Sequence, residues 1–228
     1  MTTTIKTIQL AAALAALAAL AGAAQAQVRI TEVSAWGSGN APYATDWFEL
    51  TNTGTSAITV SGWKMDDSSA SFGSATAMTG ISSIAAGESV IFTETAATAS
   101  FLSTWFGGSA PAGLQIGTYT GGGVGLSTSG DGVNIYNAAG VLQASVSFGN
   151  SPGSSPFATF DNAAGLTGAI SKLSTVGVNG AFAAANDASE IGSPGRIAAA
   201  VVPEPGSYAL LLAGLGVVGF LAHKRKAA

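Results

Sequence analysis

Asp46-Trp47-Phe48-Glu49-Leu50-Thr51-Asn52-Thr53-Gly54 is the stretch that decides the fold. Aromatic and β-branched residues favour a half-buried pleated surface, and the closing Asn-Thr-Gly supplies turn chemistry. Strand side chains alternate between faces. Phe48 and Leu50 therefore share one face, and Trp47, Glu49 and Thr51 the other. On this reading Asp46 caps the strand entry, and Glu49 lies exposed or pairs with Lys64.

The same punctuation continues on both sides. Residues 28–33 read as a strand in which Val28, Ile30 and Glu32 alternate against Arg29, Thr31 and Val33. Residues 58–65 read as a third strand anchored by Ile58, Val60 and Trp63, followed by a polar loop over 66–71. Residues 81–84 and 89–94 flank a tight turn at Ala86-Gly87-Glu88. Phe101, Leu102, Trp105 and Phe106 recur at helical spacing and predict a short helix over 99–106. Glycines bracket 124–126, and residues 133–136 and 141–148 read as a hairpin across 137–140. Between 150 and 195 the pattern weakens, which predicts long loops with one or two edge strands, ending at Gly192-Ser193-Pro194-Gly195. About seven short strands with frequent turns predict an all-β chain folded as an antiparallel β-sandwich.

The two ends have a different character. Lys6 precedes an apolar stretch over 8–21, and Ala24 and Ala26 place small residues where signal peptidase needs them. Residues 1–26 therefore read as a signal peptide forming an N-terminal signal helix. At the other end, Pro203-Glu204-Pro205 precedes an uncharged apolar run over 208–222 and the cations Lys224, Arg225 and Lys226. A helix over that run is about 22 Å long, against a hydrocarbon core of roughly 30 Å. Snorkelling of the three cations and local thinning of the bilayer make up the difference. The cations stay on the cytoplasmic side, so they anchor the topology with the body of the chain outside. The expected organisation is thus 1–26, a β-sandwich over 27–197, and a tail over 198–228 with one transmembrane helix at 207–222.

The body holds four cations, Arg29, Lys64, Lys172 and Arg196, against eleven carboxylates, a net charge of −7. Such a surface does not neutralise a row of phosphates, which argues against nucleic acid as a partner. The chain has no cysteine, and its single histidine, His223, lies in the tail. Thiol nucleophiles and thiolate metal sites are thereby excluded. A serine nucleophile would have only Lys64 or Lys172 as its base, and neither sits in a recognisable motif. No catalytic residue and no cofactor is expected. Asp66 and Asp67 are the one adjacent acidic pair and, with Ser68 and Ser69, the candidate Ca²⁺ ligands. Trp36, at a loop edge, is the tryptophan best placed to stack on a sugar, while Trp47, Trp63 and Trp105 are assigned to packing.

Two resemblances follow from these residues. Residues 202–226, with Pro203-Glu204-Pro205, the apolar run and the basic end, resemble the PEP-CTERM sorting signal of Gram-negative bacteria. That likeness implies recognition of Pro203, Glu204 and Pro205 by an exosortase after passage through the general secretion machinery. It also implies transient anchoring in the inner membrane, then release to the cell surface or medium of a cell with an exopolysaccharide or biofilm system. Residues 28–148, through Ile30-Thr31-Glu32-Val33, the Asp46–Gly54 stretch, Gly62-Trp63-Lys64 and Gly130-Asp131-Gly132-Val133, resemble the lamin tail domain, and the likeness extends toward the Gly-Ser-Pro-Gly at 192–195. It implies an immunoglobulin-like sandwich without catalytic residues, used as a binding or adhesive module. The functional expectation is a non-enzymatic surface or matrix protein. The alternatives are a carbohydrate-binding module for exopolysaccharide and a carboxylate-dependent glycosidase. Export with signal removal should leave Gln27 as the first residue of the mature protein; N-terminal sequencing that begins at Met1 would contradict it.

Overall fold

In the computed structural model, residues 28–35, 43, 45–120, 123–196 and 214 are described. Residue 214 aside, all of them belong to one compact unit. The signal helix, the hinge at 203–205 and the apolar run at 207–222 lie outside the described residues. Among the described residues, no helix is long and apolar enough to cross a membrane.

Among the described residues of the body, fifteen strands and one helix, α1 (Thr98–Phe106), follow one another. The strands are β1 (Val28–Ser34), β2 (Trp47–Asn52), β3 (Ile58–Thr59), β4 (Lys64–Asp66), β5 (Thr76–Thr79), β6 (Ser83–Ile84), β7 (Ser89–Thr93) and β8 (Gln115–Tyr119). After these come β9 (Asp131–Tyr136), β10 (Leu142–Phe148), β11 (Phe157–Ala158), β12 (Phe160–Asp161), β13 (Gly168–Ile170), β14 (Phe182–Ala184) and β15 (Asp187–Gly192). Ten strands join in the order β12-β1-β2-β7-β8-β5-β4-β9-β10-β13. β5 is the fold line: Met65 pairs with Thr76 on one side, and Met78 pairs with Tyr119 on the other. The sheet doubles over there, so that β1 packs against β10. The result is a sandwich closed along one edge by a shared strand.

The core between the two leaves contains Val28, Ile30, Val33, Phe48, Leu50, Met65, Phe92, Tyr119, Val133, Ile135 and Val146. Phe48 stacks on Phe92 at 5.7 Å and lies 5.2 Å from Tyr119, while Phe148 reaches across the layer to Phe160 at 5.0 Å. The expected face of the deciding strand is therefore observed for Phe48 and Leu50. The helix is also where the spacing places it, and the hairpin of β9 and β10 forms as expected, with Asn137 bonding across its turn to Val141.

Several expectations are corrected. The strand read over 58–65 is broken into β3 and β4, because the chain turns at Gly62, whose φ of +76° suits a residue without a side chain. β6 and β7 flank the turn at 86–88 as read; β6 pairs with β3, and β7 with β2 and β8. The sandwich is not purely antiparallel, since β7·β8, β10·β13 and β11·β15 run parallel. β8 itself went unread because Gln-Ile-Gly-Thr-Tyr carries a central glycine. That glycine is required: a Cβ on Gly117 would lie 2.5 Å from the Thr79 carbonyl oxygen and 2.6 Å from the Phe92 ring. Residues 157–192, expected to be mostly loop, contribute five short strands.

Phe48→Ala should lower stability by about 3–5 kcal/mol, the usual range for emptying a buried aromatic site. Urea unfolding of the two proteins measures this, and an unchanged midpoint would contradict the core assignment.

Candidate functional site

The outer face of β1, β2 and β7 is the unusual part of the molecule, because it too is buried. All six residues of β2 are buried, and so are six of seven in β1. One half of this face is apolar. Trp47 and Ile91 meet Tyr43, Phe101 and Trp105 in a second core, with Phe106 and Phe182 at its margin. Trp47 lies edge-on to Phe101 and Trp105 at 5.5 and 5.8 Å. α1 and the small sheet β11-β15-β14 supply the cover.

The other half is polar. A bulge between Ile30 and Glu32 breaks the alternation of β1. Ile30 and Val33 both point to the first core, and the two residues between them turn outward. Glu32 thereby stands opposite Glu49 on β2, and both carboxyl groups are fully buried. Glu49 accepts hydrogen bonds from the Thr31 hydroxyl at 2.7 Å and the Gly195 N–H at 2.7 Å. Glu32 accepts from the Ser193 N–H at 2.7 Å, the Ser193 hydroxyl at 2.9 Å and the Thr159 hydroxyl. A line of hydroxyls, Thr31, Thr51 and Ser89, continues the network across three strands at 2.8 and 2.7 Å. A third carboxylate, Glu190, accepts from the Tyr43 hydroxyl at 2.7 Å.

Burial raises both carboxyl groups from their ordinary 4.5, Glu32 to about 7 and Glu49 to about 8. The charge of Glu32 adds to the effect on Glu49, and the hydroxyl and N–H donors oppose it without cancelling it. Burial likewise pushes the Tyr43 phenol upward. Two adjacent carboxyls of this kind titrate as a pair and retain a proton at neutral pH. Paired carboxylates of unequal affinity can serve acid–base chemistry, but a substrate must reach them. Here strands, helix and the 193–195 turn seal both groups.

Residues 21–150, more than half of the chain, match the Lamin Tail Domain family. The chain belongs to the lamin tail domain family. Residues 201–226 match the PEP-CTERM protein-sorting motif, which implies export, processing by an exosortase and transient membrane anchoring. No curated protein matches the chain. Residues 157–195, which with α1 help cover the outer face of this lamin tail domain, lie beyond the matched span.

Within the domain, the residues singled out from sequence fare differently. Glu49 is neither exposed nor paired with Lys64; it is sealed under the 193–195 turn, and Lys64 lies over the Phe72 ring at 4.8 Å. Glu32 does not alternate with Val28 and Ile30, owing to the bulge. The Asp46 carboxylate accepts the Leu126 N–H at 2.7 Å, tying β2 to a distant loop. Asp66 accepts from the Ser69 hydroxyl and the Ser71 N–H, both at 2.7 Å, and Asp67 from the Ser69 N–H at 2.9 Å. Both thus shape the 66–71 turn. Among the described residues, no group of three or more His, Cys, Asp or Glu side chains could hold a metal ion. Lys172 pairs with Asp161 at 2.7 Å, and that ion pair with its hydrogen bonds holds the Asp161 carboxyl below its usual range despite partial burial. Trp47, Trp63 and Trp105 are buried. Trp36, the sorting residues Pro203, Glu204 and Pro205, the anchors Lys224, Arg225 and Lys226, and Ala24 and Ala26 lie outside the described residues.

Reading the sequence missed the carboxyl pair as a unit. A glutamate flanked by Phe48 and Leu50 signals a strand, but its partners stand 18 and 146 positions away. Raised carboxyl pKa values mean that the folded state binds protons more tightly than the unfolded chain. This contribution to stability is complete below pH ~4.5 and is lost as pH rises through about 7 and 8. The thermal midpoint should therefore fall between pH 5 and pH 9. Glu49→Gln, the isostere of the protonated acid, should flatten that slope. An equally steep decline in the variant would exclude the pair as its source.

Proposed function

We propose that this is an exported, non-enzymatic surface or extracellular-matrix protein, delivered by its C-terminal sorting signal and acting through an immunoglobulin-like sandwich as a structural or adhesive module. The match of residues 201–226 to the sorting motif carries the reading. The disposition of the described polar groups supports the non-enzymatic part. Glu32, Glu49, Asp46 and Asp161 accept hydrogen bonds from backbone and side-chain donors of the fold. The body also contains neither histidine nor cysteine. A structural role suits a domain whose central sheet is covered on both faces.

The mature protein isolated from its source should end near Pro203–Pro205 when analysed by intact mass. Glu204→Ala should leave the chain in the membrane fraction. Mature protein that retains Lys226 would refute sorting by this signal, and any robust hydrolytic turnover would refute the non-enzymatic reading.

A further inference from the structure

The second core opens beside α1 into a cleft of about 550 Å³, within the range of small-molecule sites, roughly 300–1,000 Å³. Phe106, Pro111 and Phe182 line it, with the nearly buried Trp105 among them. Phe182 is held in place by edge contact with Trp105 at 5.7 Å and by Phe106 at 5.8 Å. Arg196 completes the lining. Its guanidinium carbon sits 3.9 Å from the centroid of the Phe182 ring, which restrains a side chain that is otherwise solvent-exposed.

Lys64 and Arg196 each stand over an aromatic ring, and of the two it is Arg196 that lines the cleft. Lys172 has Asp161 as its partner. Arg196 has no carboxylate partner among the described residues, although the body carries eleven. None of the side chains lining the cleft is acidic. A guanidinium presents a planar fork of donors matched to a carboxylate. The aromatic wall and Pro111 beside it suit the apolar face of a compact ring. An ammonium ligand would be repelled by Arg196, and a neutral one would leave its donors to water.

We propose that this cleft binds a carboxylate-bearing ring compound, with the carboxylate paired to Arg196 and the ring body against Phe106 and Pro111. Its lining residues belong neither to the sorting motif nor to the carboxyl pair, so the proposal goes beyond the delivery role. Uronate sugars and aromatic acids share the required chemistry, and separate arms of one experiment distinguish them.

The test titrates the full chain in detergent with trigalacturonate, benzoate and neutral maltotriose, reading tryptophan fluorescence and calorimetry. Saturable binding of trigalacturonate or benzoate is expected, weakened by added NaCl, with no binding of maltotriose. The tighter of the two acids identifies the source class. Arg196→Gln should weaken binding at least tenfold at an unchanged thermal midpoint, and Phe106→Ala should weaken it with the salt dependence retained. If Arg196→Gln fails to fold, the NaCl dependence of the wild-type protein and the Phe106→Ala result decide the matter. Failure of both acids to bind, equal binding by maltotriose, or salt-independent binding that survives Arg196→Gln would overturn the proposal.

Discussion

Two carboxyl groups buried side by side require donors, a shared proton or both, and that requirement organises the C-terminal third of the domain. A buried acceptor left without a partner costs about 1–3 kcal/mol. Glu32 and Glu49 obtain their partners from far along the chain, at Thr159, Ser193 and Gly195. The Gly-Ser-Pro-Gly segment is thus held by its backbone N–H groups on an acidic floor. The floor exists because a single extra residue in β1 turns Thr31 and Glu32 to the same face. Without that bulge, strict alternation would point Glu32 into the aliphatic core beside Ile30 and turn Val33 outward.

The same sheet therefore carries two unlike faces, and each has its own cover. Toward the other leaf it presents Val28, Ile30, Phe48, Leu50 and Phe92, packed by the doubling of the sheet at β5. Away from it, aromatic packing under α1 borders directly on the polar network under the closing turn. Edge-to-face contacts of Trp47 with Phe101 and Trp105 add about 0.5–1.5 kcal/mol per pair beyond the area they bury. Covalent crosslinks play no part, because the chain has no cysteine. A domain of this size buries enough surface to be stable without them.

For an exported protein this construction has a clear consequence. The acidic side chains that attract attention in the sequence are directed inward or into turns, where they fix geometry. What remains for recognition is the surface, and the aromatic cleft beside Arg196 is its most chemically defined feature. It lies between α1, which is inside the residues matched by the family, and β14, which is beyond them.

The sequence determined the class of the fold and the route of the protein. Alternation in residues 47–51 and the turn chemistry after it specify a strand with Phe48 and Leu50 inward, because strand periodicity is local. The Pro-Glu-Pro, apolar and basic segments within residues 201–226 specify delivery, because a sorting motif is read as a linear signal. Helix α1 and the hairpin of β9 and β10 were legible for the same local reason. The tertiary structure alone decided which elements pair, where the sheet folds, and that Glu49 is sealed. A bulge shifts alternation without leaving a mark in composition, and Gly117 becomes a strand residue only because Thr79 and Phe92 press against it. The carboxyl pair takes donors from 127 to 161 positions away, and the Arg196 cleft arises where α1, β14 and Arg196 meet. Contacts of that range are set by packing, and no local pattern records them.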